Sequence, residues 1–357
     1  MMKHPVRAAA PHLAGVEPYD PKYIPAEVMI SANENPNDVS ADIRREIESA
    51  IRMVEFNRYP DPLANELRDM IAEANGLDRD NVIVGNGGDE LLFNIALAYG
   101  GPGRTLLNIP PTFSVYAYNA MLTRTDVVDI PRRADFSIDE DAVVARLAKG
   151  DIDYCIITSP NNPTGDLASE AFIRRCLEAS DALIMVDEAY FEFSRRTVRP
   201  LLNEFDNLVI LRTFSKAFSL AGVRVGYLLA GEGVISEFKK VRQPYSVDAV
   251  SQAIARVVYK NRGHFERGVD AIIEQRDVLV KGLKAIDGVE LWPSDSNYIL
   301  VRLDNAGEVW RKLLDEGVLV RDFSQSKYLE NCLRITVGSA EQNLRLLEAL
   351  GRIVKEG

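Results

Sequence analysis

The sequence predicts a mainly parallel, doubly wound α/β fold with a sheet of seven strands, followed by a smaller α+β unit. Three observations carry this. Seven short apolar runs lie at 82–84, 105–109, 127–130, 154–158, 182–186, 208–211 and 225–230, and most are separated by helical patterns. That alternation calls for a parallel sheet covered by helices on both faces. Polar motifs follow the ends of these runs, where such sheets bind ligands. After about residue 247 the order changes, with one long helical stretch to about 286 and then strands at 298–303, 318–321 and 333–337 between helices.

The elements follow in order. Residues 1–30 are rich in proline and alanine and have no clear period, which predicts an extended arm packing on the small domain or on a partner subunit. Ser31-Ala-Asn-Glu-Asn-Pro36 is turn chemistry. A helix opens near Ser40, with Ile43, Ile47 and Ile51 at four-residue spacing. A second runs from about 63 to 74 and stops at Asn75-Gly76. Strand 82–84 leads through the glycine turn 85–88 to Asp89, an N-cap candidate for a helix reaching Tyr99. A strand, a glycine turn and a helix N-terminus together can cradle an anion, although the cluster alone also fits a plain tight turn. Further helices are expected near 114–122, 138–148 and 169–179. The division is then an arm (1–30), a large domain (31–247) and a small domain (248–357).

With 357 residues the chain exceeds the usual size of one core. Its net charge of −11 and pI near 5.0 give no electrostatic support for a nucleic-acid or anionic-membrane partner. Cys155, Cys176 and Cys332 are scattered and odd in number, which fits a reducing compartment. His4, His12 and His264 lie far apart, so no metal site is expected. No apolar run reaches the length of a membrane span, and the N-terminal residues lack the apolar centre of a signal peptide. A cytoplasmic protein is expected.

The chemistry gathers around Leu211 to Tyr227. Lys216 sits among small and hydroxylated residues between two apolar runs. Burying an amine lowers its pKa and makes it a nucleophile toward a carbonyl. Thr213, Ser215 and Arg224 could hold an anion beside it, which suggests a phosphate-bearing aldehyde cofactor, pyridoxal 5′-phosphate. An isolated Ser-Lys would more simply be a surface lysine. Asp187 ends a buried run, where a carboxylate needs a positive partner such as a protonated ring nitrogen. Its neighbour Glu188 is expected to face solvent or a loop. Tyr190 and Asn162 could donate to a ring oxygen, and Phe113 could stack on a ring. Taken singly, a core aromatic or an Asn-Pro turn explains each equally well. Their shared position at strand ends is the stronger signal.

These motifs resemble those of the fold type I, class I/II aminotransferases that use pyridoxal phosphate, and more narrowly the histidinol-phosphate aminotransferases. The resemblance covers nearly the whole chain. It rests on Asn33-Glu34-Asn35-Pro36, Arg58-Tyr59-Pro60-Asp61, Gly85-Asn86-Gly87, Asn161-Asn162-Pro163-Thr164-Gly165, Val186-Asp187-Glu188-Ala189-Tyr190, Arg212-Thr213-Phe214-Ser215-Lys216-Ala217-Phe218, Val320-Arg321-Asp322 and Leu333-Arg334-Ile335-Thr336-Val337-Gly338.

The resemblance implies that Lys216 forms the Schiff base and shuttles the proton. Asp187 would pair with the ring nitrogen, with Tyr190 and Asn162 on the ring oxygen. Ser215, Arg224 and the backbone of Gly88 and Asp89 would hold the phosphate, with Thr213 also at the cofactor, and Phe113 would stack on the ring. Tyr59 would reach a neighbouring subunit's cofactor phosphate, making the enzyme a homodimer. Arg334, with Tyr19, Arg321 and Asn162 nearby, would bind the substrate. Guanidinium groups can take either a phosphate or a second carboxylate in one pocket.

The implied reaction interconverts L-histidinol phosphate plus 2-oxoglutarate and imidazole acetol phosphate plus L-glutamate by a ping-pong route. An aromatic or broad-specificity aminotransferase is the alternative; threonine-phosphate decarboxylase and a non-enzymatic binding role stand further off. Two positions depart from the family pattern: Gly88 where serine is frequent, and Ser219 where glycine is usual.

Overall fold

The structure is a computed structural model that describes residues 7–18 and 23–356. After a short strand β1 (Val28–Met29), the chain forms helices α1 (Ala41–Arg52) and α2 (Asn65–Asn75). Ser40 caps α1 by accepting from the Ile43 N–H, and Gly76 closes α2 with φ 60°. The central alternation then follows: β2 (Val82–Asn86), α3 (Gly87–Tyr99), β3 (Thr105–Asn108), α4 (Val115–Thr123), β4 (Asp126–Asp129), α5 (Glu140–Leu147), β5 (Tyr154–Thr158), α6 (Glu170–Ala179), β6 (Leu183–Asp187), α7 (Phe191–Ser194), β7 (Leu208–Thr213) and β8 (Val225–Ala230).

These seven strands make one sheet in the order β2-β8-β7-β6-β5-β3-β4. All neighbouring pairs are parallel except those of β8, which runs antiparallel to β2 and β7. The near-continuous apolar runs follow from burial on both faces. Cys155, Ile157, Ile184, Val186, Leu208 and Ile210 join one core cluster, and the alternate residues Tyr154, Ile156, Leu183, Met185, Val209 and Leu211 join another.

The rest of the chain comprises α8 (Glu232–Val241), α9 (Ala249–Lys260), α10 (Glu266–Lys284), β9 (Glu290–Leu291), β10 (Tyr298–Arg302), α11 (Ala306–Asp315), β11 (Val318–Leu319), β12 (Arg321–Asp322), β13 (Cys332–Thr336) and α12 (Ala340–Glu356). A four-stranded antiparallel sheet, β12-β13-β10-β9, carries the second core.

Four local expectations change. The long helix expected to 286 breaks at Asn261, whose side chain donates back to the Val257 carbonyl. α9 packs on α1 and α2, and its Ala255, Val258 and Tyr259 lie in the core of the large sheet, although it falls beyond residue 247. The strand expected at 318–321 splits at Val320: β11 pairs in parallel with β1, and β12 pairs with β13. Asp89 is not the cap of α3, because the helix starts two residues earlier at Gly87, where φ is 74°.

Candidate active site

The carboxyl ends of the parallel strands meet at one edge of the large sheet. Because β8 runs the opposite way, its start lies at that same edge, with Gly226 opposite Thr213 and Val225 opposite Asn86. This reversal brings Arg224 to the ends of β2 and β7.

Lys216 follows β7, and its Nζ donates to the Ala32 carbonyl at 2.9 Å. Burial, with the positive charge of Arg334 as a second cause, lowers its pKa to about 8. Asp187 ends β6 and is buried; burial pushes its carboxyl up to about 6. Its Oδ2 accepts from the Tyr116 hydroxyl at 2.7 Å and its Oδ1 from the Ala189 N–H at 3.0 Å. The Tyr190 ring centroid lies 6.0 Å from Lys216 Nζ, and its hydroxyl accepts from Asn33 Nδ2 at 2.9 Å. Burial raises its pKa as well. Asn162, in the turn after β5, accepts at Oδ1 from Arg334 Nη1 at 2.6 Å, which leaves its NH2 group for another partner.

Beside the lysine is a cradle of donors. Thr213 Oγ1 donates to Ser215 Oγ at 3.0 Å, and Arg224 Nη1 reaches the same Ser215 oxygen at 3.3 Å. Arg224 Nη2 donates to Asp89 in the first turn of α3. Arg224 itself has φ 58°, an uncommon conformation for a residue with a side chain, and such outliers gather at binding sites. A Cβ on Gly226 would come within 2.9 Å of the Gly87 carbonyl carbon and the Gly88 nitrogen. Glycine there lets the start of α3 lie against β8, with its free N–H groups at the cradle. Phe113 packs edge-on against Tyr116, with ring centroids 5.7 Å apart.

Arg334 of β13 and Arg321 of β12 are directly opposite in register. Like charges at such a pair are unfavourable, so the arrangement suits an anion between them. Both guanidinium groups lie near the Phe323 ring, at 5.7 and 5.8 Å. Among the described residues Arg321 makes no ion pair, whereas Arg334 donates to Asn162 and to the Ser31 carbonyl. Tyr59 stands apart from this group: it is 82% exposed and stacks on Tyr245 at 4.5 Å. Tyr19 lies outside the described residues.

Three groups at the site escaped the sequence reading. Tyr116, three residues after Phe113 in the first turn of α4, holds Asp187. Asn33 holds Tyr190. The third is a correction: Glu188 does not face solvent but is 1% exposed. Its Oε2 accepts from Arg212 Nε at 2.9 Å, and Arg212 also donates to Asn75 and Thr197. Arg212 stacks on Phe191 at 3.8 Å. An arginine on a buried strand forces its partner inward, and this pair anchors the segment that carries Asp187 and Tyr190. Glu188→Ala removes the carboxylate that pairs with the buried Arg212, leaving Glu192 as its other acidic neighbour, and is expected to cost about 3–5 kcal/mol in urea unfolding. A loss below about 1 kcal/mol would mean that the pair is relaxed by solvent.

The departure at Ser219 has a visible consequence. Its φ is 57°, so the backbone keeps the conformation that glycine favours and the serine carries the strain.

Comparison with known proteins is consistent with this geometry. The family model for aminotransferase class I and II matches residues 27–350. A histidinol-phosphate aminotransferase of Carboxydothermus hydrogenoformans is 40% identical over 342 residues, 96% of this chain and 97% of that protein. The crystal structure of histidinol-phosphate aminotransferase from Sinorhizobium meliloti in complex with pyridoxal-5′-phosphate has a TM-score of 0.87 and 22% identity, covering 98% of each chain. L-threonine-O-3-phosphate decarboxylase from Porphyromonas gingivalis has a TM-score of 0.81 and 26% identity, covering 91% of this chain and 99% of that one.

Proposed function

Because this chain belongs to the class I and II aminotransferase family, we propose that it transfers the amino group of L-histidinol phosphate to 2-oxoglutarate, in histidine biosynthesis, with pyridoxal 5′-phosphate as cofactor. The observation that carries the substrate assignment is the opposed pair Arg321 and Arg334, of which Arg334 acts electrostatically on Lys216. Two guanidinium groups suit a phosphate on one substrate and the second carboxylate on the other. The 40% identical histidinol-phosphate aminotransferase supports the same choice.

The residues present fit the cofactor. The cradle of Thr213, Ser215, Arg224 and the first turn of α3 suits its phosphate, and the buried, proton-seeking Asp187 suits its ring nitrogen. Bound there, the cofactor supplies an aldehyde carbon for amines and a cationic ring that accepts electrons from the substrate Cα–H bond. Lys216 Nζ, partly neutral near pH 8, would hold the cofactor through its aldehyde carbon, and as a free amine it can carry the substrate's Cα proton. Asp187 would keep the ring nitrogen protonated, and Tyr116 holds its carboxylate in place. Tyr190 and Asn162 would donate to the ring oxygen, and Phe113 would stack on the ring. Glutamate and histidinol phosphate use the same groups in alternation, which makes the kinetics ping-pong.

We assign the large domain to residues 31–265 and the small one to 266–356, since α9 packs with the large core. A homodimer is part of the reading. Met53, Phe56 and Tyr59 are 79–82% exposed on the short loop after α1, an apolar cluster that a second copy would cover. Tyr59 would then reach the partner's cofactor phosphate. Among the described residues no helix is long and apolar enough to cross a membrane, and the three cysteines are buried and unbridged, in keeping with a cytoplasmic enzyme.

Gly88 offers a further check. A Cβ there meets only Leu211, at 3.4 Å, so Gly88→Ser fits and adds one hydroxyl to the cradle. Cofactor dissociation in equilibrium dialysis is expected to tighten about 2- to 10-fold.

The assay that tests the function offers L-histidinol phosphate, L-phenylalanine and L-threonine phosphate, each with 2-oxoglutarate, and follows glutamate and carbon dioxide. The reading requires the highest kcat/KM with histidinol phosphate. Preference for phenylalanine would make the enzyme an aromatic aminotransferase, and carbon dioxide from threonine phosphate would make it a decarboxylase.

A further inference from the structure

Three consecutive residues of the segment after β1 touch three groups of the site. The Ser31 carbonyl accepts from Arg334 Nη2 at 2.6 Å, the Ala32 carbonyl accepts from Lys216 Nζ at 2.9 Å, and Asn33 donates to Tyr190. Asn33 is 1% exposed and has φ 56°. Its place is fixed from the small domain: the Ile30 carbonyl accepts from the Thr336 N–H at 2.9 Å, and the Asn33 carbonyl accepts from Asn297 Nδ2 at 3.1 Å.

The network sets the direction of every proton in it. The Asn33 N–H donates to Thr336 Oγ1 at 2.9 Å, so that oxygen accepts there. The hydroxyl hydrogen of Thr336 then goes to Asn33 Oδ1, at 3.0 Å. With its oxygen occupied, Asn33 can turn only its NH2 group to the Tyr190 hydroxyl, which must accept. The phenol's own hydrogen is thereby directed away from Asn33.

The geometry points to Asn33 as a positioning residue, which fixes Tyr190 as a hydrogen-bond donor toward the cleft and ties that direction to β13 through Thr336. The inference rests on the reading of Tyr190 as a donor to the cofactor's ring oxygen. Accepting from Asn33 also stabilises negative charge on the phenol oxygen, which makes Tyr190 a stronger donor. Arg334 and Thr336 lie two apart on β13 and share a face. One strand therefore carries both the substrate's arginine and the polarity of the tyrosine.

The test is a pH titration of the holoenzyme's visible absorbance band. Donation to the ring oxygen stabilises the more anionic, deprotonated chromophore, so weaker donation raises its apparent pKa. Asn33→Ala is expected to shift the titration upward by about 0.5–1 pH unit. Asn33→Asp turns an acceptor toward Tyr190, pulls the phenol hydrogen out of the cleft, and is expected to match the shift of Tyr190→Phe. Thr336→Val frees the Asn33 amide to turn and is expected to give a smaller upward shift. In a Tyr190→Phe background, Asn33→Ala should add nothing. An unshifted Asn33→Ala titration, or an equal shift in both backgrounds, would overturn the inference while leaving the function intact. A protein with no visible cofactor band would overturn the proposed function, and this inference with it. Cofactor content and circular dichroism distinguish these results from misfolding.

Discussion

Lys216→Ala is expected to fold, to bind pyridoxal 5′-phosphate weakly, and to lose at least about 10⁴-fold in turnover, because in the proposed mechanism one side chain supplies both the nucleophile and the proton carrier. The fold should not suffer. Burial disfavours the lysine's charged form, so removing the amine also removes a cost. Asp187, Tyr190 and Arg224 would still line the space that Lys216 leaves. A small amine such as methylamine, added at high concentration, should therefore restore part of the rate. Lys216→Arg should not respond, because a guanidinium stays protonated. Retention of more than about 1% of the single-turnover rate in Lys216→Ala would move the proton transfer to another group.

Asp187→Asn carries the second large effect. The amide cannot hold a ring nitrogen protonated, and a loss of about 10²–10³-fold in kcat is expected, typical of a missing electrostatic stabiliser. The same variant makes a prediction for the protein without cofactor. In the folded apoprotein Asp187 has a pKa of about 6, against about 3.9 for an unfolded aspartate. Between those values the folded chain holds a proton that the unfolded chain has lost. Asp187 should therefore contribute a loss of stability as pH rises from about 4 to 6, on the order of 3 kcal/mol, and no further change above that. Apo Asp187→Asn should lack that slope. It should be the more stable protein above pH 6, and the difference should vanish below pH 4. Denaturant unfolding of the two apoproteins across this range reads the effect directly.

The large sheet was legible because burial on both faces writes its strands as apolar runs. Asp187, Asn162 and Lys216 were legible because they follow such runs, where the fold type I scaffold exposes backbone and side chains to a ligand. The partners of these groups were harder to read. Tyr116 meets Asp187 across 71 residues, and Asn33 meets Thr336 across 303. No local period records such contacts. Glu188 was misplaced because the strand carrying Arg212 had to be seen beside it. The split of 318–321 was equally hidden, since β11 takes its partner from residues 28–29. The proposed substrate pair had a sequence signal in two arginine motifs, but only the register shows the two arginines opposed.

An amino-transfer half-reaction with histidinol phosphate at this site has a spectral signature. The most direct measurement is the absorbance spectrum of the purified holoenzyme during one turnover, without a keto acid present. The account predicts that stoichiometric L-histidinol phosphate replaces the visible band with a near-ultraviolet band, that 2-oxoglutarate restores the first, and that Lys216→Ala shows neither change at a comparable rate. A holoenzyme whose band ignores histidinol phosphate but responds to phenylalanine or threonine phosphate would contradict it.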